Sequence, residues 1–322
     1  MLPRAVTASK WWSTREDQKG RIMTRILLGF NCNCFTNRYD EPGEWPRLCA
    51  EMGVHYVMFS MDLIDPYWPW DLQRRLADET LDACVRHGVN IRCAFGGHHH
   101  HQHYLGHPDD GCRQEAERFF RRAMRLTAYL GGTSFGTLFG MRTVRCQDDP
   151  NLRSHVFDQA VAAYHRLAEY GAGIGLTSLA YEVTSVPRES CATFAENDEV
   201  LDRCADMAIP IRLCLDLGHR YLGGSQEESD SLAWIRRYGL SCDVIDCQQT
   251  DRQASRHWPF TGSYNDRGVI RGDEVVEAIG ASGSEEVMLA FEIRTAAFHP
   301  QEYAHLEALR ASVGYWRQWV RD

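Results

Sequence analysis

The chain alternates short apolar runs with longer stretches of helical periodicity, and it does so eight times in succession. The apolar runs predict strands at residues 25–31, 56–60, 90–95, 134–139, 175–182, 211–216, 244–248 and 287–293. The helical stretches cover residues 44–52, 72–87, 114–130, 156–170, 199–207, 231–238, 273–279 and 301–320. Eight strand–helix units predict a closed (β/α)₈ barrel of parallel strands. A doubly wound open sheet is the alternative, but none of these runs has the character of an edge strand.

Composition is typical of one globular domain over residues 23–322, since no Pro/Gly/Ser-rich linker divides the chain. A net charge of −9 and a pI near 5.9 argue against nucleic acid as a partner. The 12 cysteines are scattered, as reduced thiols are in a cytoplasmic enzyme, and no apolar run is long enough to suggest a membrane partner. Residues 1–22 lack a signal-peptide core, and we expect them to be a disordered N-terminal extension.

Polar side chains close four consecutive predicted strands in the second half of the chain. Glu182, Asp216, Gln248 and Glu292 follow apolar runs of the fifth to eighth strands. Strand ends at the carboxyl side of a barrel form one surface, so these side chains are expected to converge there. Carboxylates held together repel one another unless a cation neutralises them. The sequence therefore predicts a site for Mn²⁺ or Mg²⁺, with Co²⁺ possible, although Gln248 could instead bond a neighbouring loop.

Two further residues follow these strand ends. His219 lies three residues after Asp216, across a glycine turn, and is predicted to bind substrate; a purely structural histidine is the alternative. Arg188 lies in the loop after Glu182 and could bind substrate oxygens or phosphate, or be merely exposed. Beyond Lys19 the chain has no lysine, so binding of an anion must depend on arginine or histidine.

These strand ends resemble the xylose isomerase-like sugar epimerase and isomerase superfamily, a group of TIM barrels. Glu182, the Asp-x-x-His of Asp216 and His219, and Glu292 are similar to the pattern of the ketose 3-epimerases. Those enzymes have a histidine on the seventh strand, whereas this chain has Gln248, as the hydroxypyruvate isomerase branch does. The resemblance extends from about Met23 to the C-terminus.

Within this superfamily, three local stretches most resemble the erythrulose-phosphate epimerases: residues 31–35, residues 61–66, and residues 248–253 leading to His257-Trp258. The resemblance implies a metal-dependent epimerase of a short ketose or ketose phosphate, in which Glu182 and Glu292 transfer protons through an enediolate. His219 would polarise the carbonyl side of the substrate. A terminal phosphate would be held by Arg188, with Arg252 or Arg256 and His257 as further candidates.

Other functions stay open at this point. If one glutamate handles both proton transfers, the same site performs aldose–ketose isomerisation. A hydro-lyase or decarboxylase on the same barrel and a non-catalytic sugar-binding barrel are further alternatives. Barrels of this kind resemble homo-oligomers more often than monomers.

A histidine-rich loop, residues 98–103 with His107, follows the third predicted strand. Endonuclease IV-like enzymes of the superfamily hold three zinc ions with several histidines, so a nuclease must be considered. Here, however, the histidines crowd a single loop and the chain is acidic, which disfavours docking of DNA. We expect one or two of them to line the substrate pocket and the others to be solvated.

Overall fold

The structure is a computed structural model that describes residues 24–222, 225–295 and 302–321. The predicted N-terminal extension, residues 1–22, lies outside the described residues. None of the described helices is both long and apolar enough to cross a membrane.

Eight parallel strands form a closed barrel in the order of the sequence, and β1 pairs with β8 to complete it. The strands are β1 Arg25–Asn31, β2 Tyr56–Ser60, β3 Asn90–Phe95, β4 Ser134–Leu138, β5 Ser178–Val183, β6 Ile211–Asp216, β7 Cys242–Cys247 and β8 Glu286–Phe291. The predicted (β/α)₈ fold is therefore confirmed, and the open-sheet alternative is wrong. It fails because β1 and β8 pair over six residues, which leaves no free edge between them.

Helices cover the outside of the barrel: α1 Glu44–Glu51, α2 Trp70–His87, α3 Asp110–Tyr129, α4 Val144–Asp148, α5 Pro150–Gly173, α6 Phe194–Arg203, α7 Ser231–Tyr238, α8 Gly262–Arg267, α9 Gly272–Ala281 and α10 Glu302–Trp316. Several start earlier than predicted because polar residues cap them. Asp109 accepts from the amide of Cys112 at the start of α3, and Asp149 accepts from the amides of Asn151 and Leu152 in α5. The short helices α4 and α8 were not predicted.

Side chains of each strand alternate between two apolar cores. The larger core lies between the strands and the surrounding helices. The smaller one fills the barrel interior with Leu27, Met58, Cys93, Phe95, Cys214, Val244, Met288 and Ala290. Towards the carboxyl ends of the strands, the same inward alternation passes from apolar to polar residues, as in Ala290 to Glu292 and Cys214 to Asp216. This polar layer positions the candidate site.

Candidate active site and metal centre

Asp216 ends β6 and is fully buried. Its Oδ1 accepts hydrogen bonds from the backbone amides of Gly218 at 2.6 Å and His219 at 3.0 Å, so the turn after the strand folds back on the carboxylate. The side-chain amide of Gln248 donates to both carboxylate oxygens, at 3.0 and 2.8 Å. The turn and Gln248 therefore fix the carboxylate of Asp216 in one orientation.

Gln248 follows β7 and is also fully buried. While its Nε2 faces Asp216, its Oε1 accepts from the backbone amide of His257 at 2.6 Å and from Ser255 Oγ at 3.2 Å. The side chain lies directly against Gly218, where any Cβ would collide with it. Both ends of the amide are thus engaged. The bonds to Ser255 and His257 match the alternative in which Gln248 bonds a neighbouring loop; its role as a metal ligand stays a prediction.

Glu182, near the end of β5, faces the imidazole of His219. His219 Nε2 lies 3.2 Å from Glu182 Oε1 and 3.6 Å from Asp216 Oδ2. Burial opposes protonation of this ring, but the charges of Asp216 and Glu182 outweigh burial and raise the pKa of His219 to about 10.

Glu292 follows β8 and is held by three neighbours. Asn33 Nδ2 donates to its Oε1 at 2.8 Å, and Arg294 Nη2 lies 2.6 Å from the same oxygen. His257 Nδ1 lies 3.3 Å from Oε2 and 3.2 Å from the backbone carbonyl oxygen of Glu292. Burial alone would raise the pKa of Glu292, but His257 and Arg294 hold it well below the usual range. Glu292 is therefore a buried carboxylate rather than a neutral acid.

One potential ligand atom from each of Glu182, Asp216, His219 and Glu292 lies within 4.8 Å of all the others. Burial, reinforced by Glu292 and Glu182 and opposed by His219, raises the pKa of Asp216 to about 6. Glu292 Oε2 is buried and accepts no hydrogen bond from the described residues. A hard or borderline divalent cation fits this donor set. His257 forms a second close group with His219 and Glu292.

A small cleft opens beside these carboxylates at the carboxyl ends of the strands. It is lined by Asn31, Asn33, Asp62, Phe95, Gly97, His98, His100, His101, Glu182, Asp246, Glu292 and Arg294. The sequence prediction of a site did not include Asn33, Asp246 or Arg294, and it covered His100 only as a member of the loop from which one or two histidines were expected to line the pocket. Asp246 could have been found from strand alternation, because it lies two residues before Gln248 and so faces the same side of β7. Burial raises the pKa of Asp246 well above its usual range.

The three arginines predicted to bind phosphate lie outside the lining of this cleft. Arg256 is paired with Asp251 at 3.1 Å, and its guanidinium lies 5.4 Å from the centre of the Trp258 ring. Arg252 lies over the ring of Tyr221, and Arg188 Nη2 is 3.6 Å from Glu189 Oε1. Their role in binding a phosphate remains a prediction. The arginine that lines the cleft, among the described residues, is Arg294.

The histidine-rich loop forms the opposite wall of the cleft. His98, His100 and His101 line the cleft, one more than expected. His98 Nδ1 lies 3.0 Å from Asp62 Oδ2, an arrangement that needs Gly97, because a Cβ on that residue (φ +59°) would collide with the carboxylate. The expectation that the remaining histidines are solvated is wrong for two of them. His99 and His103 are half-buried on the ring of Phe119, because α3 presents that apolar surface to the loop.

Fold and site together define a (β/α)₈ barrel whose buried carboxylates form a candidate metal centre at the carboxyl ends of its strands. The sequence profile of the family described as "Xylose isomerase-like TIM barrel" matches residues 46–318. The chain therefore belongs to the xylose isomerase-like TIM-barrel family, as its strand-end residues had predicted.

Individual relatives agree with this assignment. The D-erythrulose 1-phosphate 3-epimerase of Brucella abortus (strain 2308) is 27% identical over 295 residues, which cover 90% of this chain and 95% of that protein. A Rhodospirillum rubrum protein described as a candidate xylose isomerase has a similar fold, with a TM-score of 0.85, 24% identity, and coverage of 92% of this chain and 100% of that one. The D-psicose 3-epimerase of Clostridium cellulolyticum H10, solved with D-tagatose, has a TM-score of 0.65 and 15% identity over the same shares. The predicted enzyme class, a carbohydrate epimerase or isomerase, is confirmed at this level.

Proposed function

We propose that the protein is a divalent-metal-dependent 3-epimerase of a short ketose or ketose phosphate, such as D-erythrulose 1-phosphate. The observation that carries the proposal is the placement of Glu182 and Glu292 in one cleft, each held by different neighbours. Glu182 faces His219, whereas Glu292 faces Arg294 and His257. Two separately held carboxylates are what proton removal on one face and proton return on the other require. The substrate follows from the Brucella abortus relative and its name.

Glu182, Asp216 and Glu292 are the best-supported ligands for the cation, which we propose to be Mn²⁺ or Mg²⁺, with Co²⁺ possible. His219 also lies close enough to be a donor, but we assign it to the substrate, which leaves Gln248 as the predicted fourth ligand. When bound, the cation would polarise the substrate carbonyl and stabilise the negative charge of an enediolate.

The protein's own groups would then move the proton. One of Glu182 and Glu292 removes the proton from C3 of the ketose, and its electron pair moves into an enediolate that extends over C2 and C3. The other glutamate enters the cycle protonated and gives that proton to the opposite face of C3, which restores the carbonyl and inverts the centre, while the first glutamate keeps the proton it removed. His219 lies beside Glu182 and would donate a hydrogen bond to an oxygen of the reacting carbons. If the substrate is phosphorylated, Arg188, Arg252, Arg256 and His257 remain the proposed phosphate-binding residues, and Arg294 joins them because it lines the cleft.

The test is incubation with Mn²⁺ in D₂O of D-erythrulose, its 1-phosphate, and the pentuloses with and without phosphate. Epimerisation places deuterium at C3 and, for the erythruloses with their single stereocentre, abolishes optical rotation. Deuterium at C1 with an aldose product would instead indicate an aldose–ketose isomerase. A product lighter by water or carbon dioxide would indicate a lyase. No deuterium beside the carbonyl of any of these sugars would refute the proposal.

A further inference from the structure

His100 is an unexplained polar group in the wall of the cleft. It lies in the loop after β3 and lines the same cleft as Glu182 and Glu292, and its ring is tilted by 58° against that of His101, with ring centres 4.2 Å apart. Its Nδ1 is buried and has no hydrogen-bond partner among the described residues. A buried ring nitrogen left without a partner has an energetic cost, which a bound molecule could remove.

Other histidines of the loop have structural contacts that His100 lacks. His98 is hydrogen-bonded to Asp62, and His107 Nδ1 accepts from the amide of Asp109 at 3.0 Å. His99 and His103 pack on Phe119, with ring centres 5.2 and 4.7 Å away. These contacts account for four histidines of the loop without any ligand. They also provide matched controls, since His103 shares the loop and lies away from the cleft lining.

We propose that His100 determines substrate specificity by exchanging a hydrogen bond with a hydroxyl group of the ketose. This inference rests on the proposed epimerase function and names the part of the substrate that faces the β3 loop. In this arrangement, Nδ1 of His100 forms a hydrogen bond with a hydroxyl group of an uncharged part of the sugar chain, while the reacting carbons lie against the two glutamates.

The chemistry of the wall favours a hydroxyl over an anion. Burial lowers the pKa of His100 to about 4, so the ring is neutral at physiological pH. The carboxylates of Glu182, Glu292 and Asp62 line the same cleft and would repel a phosphate or carboxylate placed beside this neutral ring, whereas the positive charge of Arg294 lies against Glu292. A hydroxyl can donate to or accept from a neutral imidazole in either tautomer. The end of the substrate near His100 is therefore uncharged.

Three variants separate this role from loop structure. His100→Leu removes the ring nitrogens, and His100→Asn keeps a polar atom close to the position of Nδ1. His103→Leu is the control, because leucine keeps an apolar contact with Phe119. We expect His100→Leu to raise the KM for D-erythrulose about tenfold with kcat nearly unchanged, since the lost bond is made equally in ground and transition states. His100→Asn should recover most of this loss, and His103→Leu should resemble the wild type.

A binding measurement makes the test independent of turnover. In a Glu292→Gln background, titration calorimetry gives the Kd of D-erythrulose and of its 1-deoxy and 4-deoxy analogues. The analogue that lacks the hydroxyl bonded by His100 should bind about tenfold more weakly than D-erythrulose when His100 is present. After His100→Leu, this analogue and D-erythrulose should bind equally well. An unchanged KM and Kd in His100→Leu, or equal losses in His103→Leu, would overturn the inference. Failure of the proposed function alone would differ, since the wild type would bind ketoses without exchanging any proton.

Discussion

Both ends of the barrel carry charged side chains, but only one end buries them. At the amino ends of the strands, Glu286 is paired with Arg25 and Arg92, and Asp243 is paired with Arg212. These side chains keep roughly a quarter to a half of their surface exposed. At the carboxyl ends, Asp216 is fully buried, and Glu182 and Glu292 are nearly so.

This difference separates charges that serve the fold from charges that serve chemistry. Exposed ion pairs contribute roughly 0–1 kcal/mol each, and their removal is easily tolerated. Buried carboxylates that lie close together destabilise the folded state unless a cation neutralises them. The amino end could lose its charges with little consequence, whereas the carboxyl end retains charges that the fold alone does not need.

The largest effect is expected from the proposed bases. Glu292→Gln and Glu182→Gln should each lower the rate of deuterium exchange at C3 by about 10²–10⁴-fold, because each removes one proton-transfer group. The Tm of Glu182→Gln should fall little, since it removes a negative charge from a crowded cluster, whereas Glu292→Gln should lower the Tm more because it removes the partner of Arg294.

Glu286→Gln at the amino end is the matched control. It should leave exchange unchanged and lower the free energy of unfolding by less than about 1 kcal/mol. Equal losses of exchange in Glu286→Gln and Glu292→Gln would contradict the division between the two ends.

Metal binding should stabilise the carboxyl end specifically. At 100 times its Kd, Mn²⁺ should stabilise the folded protein by about 2.7 kcal/mol, and a chelator should reverse the effect. Asp216→Asn should abolish most of this stabilisation, whereas Asp243→Asn at the amino end should preserve it. Thermal unfolding with and without Mn²⁺ measures both. Stabilisation that survives Asp216→Asn would place the ion elsewhere.

Gln248 tests how the metal centre is supported. Because its amide donates to both oxygens of Asp216, Gln248→Leu should weaken Mn²⁺ binding by about 10–100-fold. The loss should be smaller than that of Asp216→Asn. Calorimetric titration of the two variants provides the comparison, and wild-type affinity in Gln248→Leu would show that the amide neither binds nor orients anything important.

The smallest effect concerns the pH dependence of the histidine-rich loop. The hydrogen bond to Asp62 raises the pKa of His98 above its ordinary value of 6.5. The contribution of protonated His98 to the stability of the folded protein is therefore fully present below pH 6.5 and is lost as the pH rises through the raised pKa. Burial opposes ionisation of Asp62, but His98 lowers the pKa of Asp62 below 3.8. The contribution of ionised Asp62 to stability is therefore lost only as the pH falls through the lowered pKa. An NMR titration should show the raised pKa of His98 returning towards 6.5 in Asp62→Asn. An unchanged titration would exclude the pair.

The fold could be predicted from the sequence because strand and helix periodicities repeat regularly. Five strands, including β1 and β6, have the predicted bounds or differ by a single residue, and the ends of the fifth, seventh and eighth strands shift by up to three residues. Helices α4 and α8 escaped prediction because each has only five or six residues, too few for a periodic pattern.

The sequence predicted the part of the candidate site that strands five to eight contribute, but not the part contributed by the segment after β1. Glu182, Asp216 and Glu292 were recognisable because each follows an apolar run. Asn33 reaches Glu292 across 259 residues of sequence, a contact that exists only because β1 closes the barrel against β8. Local patterns give no indication of such a contact.

The roles of the loop histidines could not be predicted without the tertiary structure, for a similar reason. Their spacing does not reveal which ones find a partner, because Asp62 lies on the β2 loop and Phe119 on α3. His100 stands out only once its neighbours are known.

The most direct measurement is the anomalous diffraction of crystals soaked in Mn²⁺. One strong peak is expected within coordination distance of the carboxylates of Glu182, Asp216 and Glu292, at the carboxyl ends of the strands. A peak held by the histidine-rich loop instead, or no peak near these three carboxylates, would contradict it.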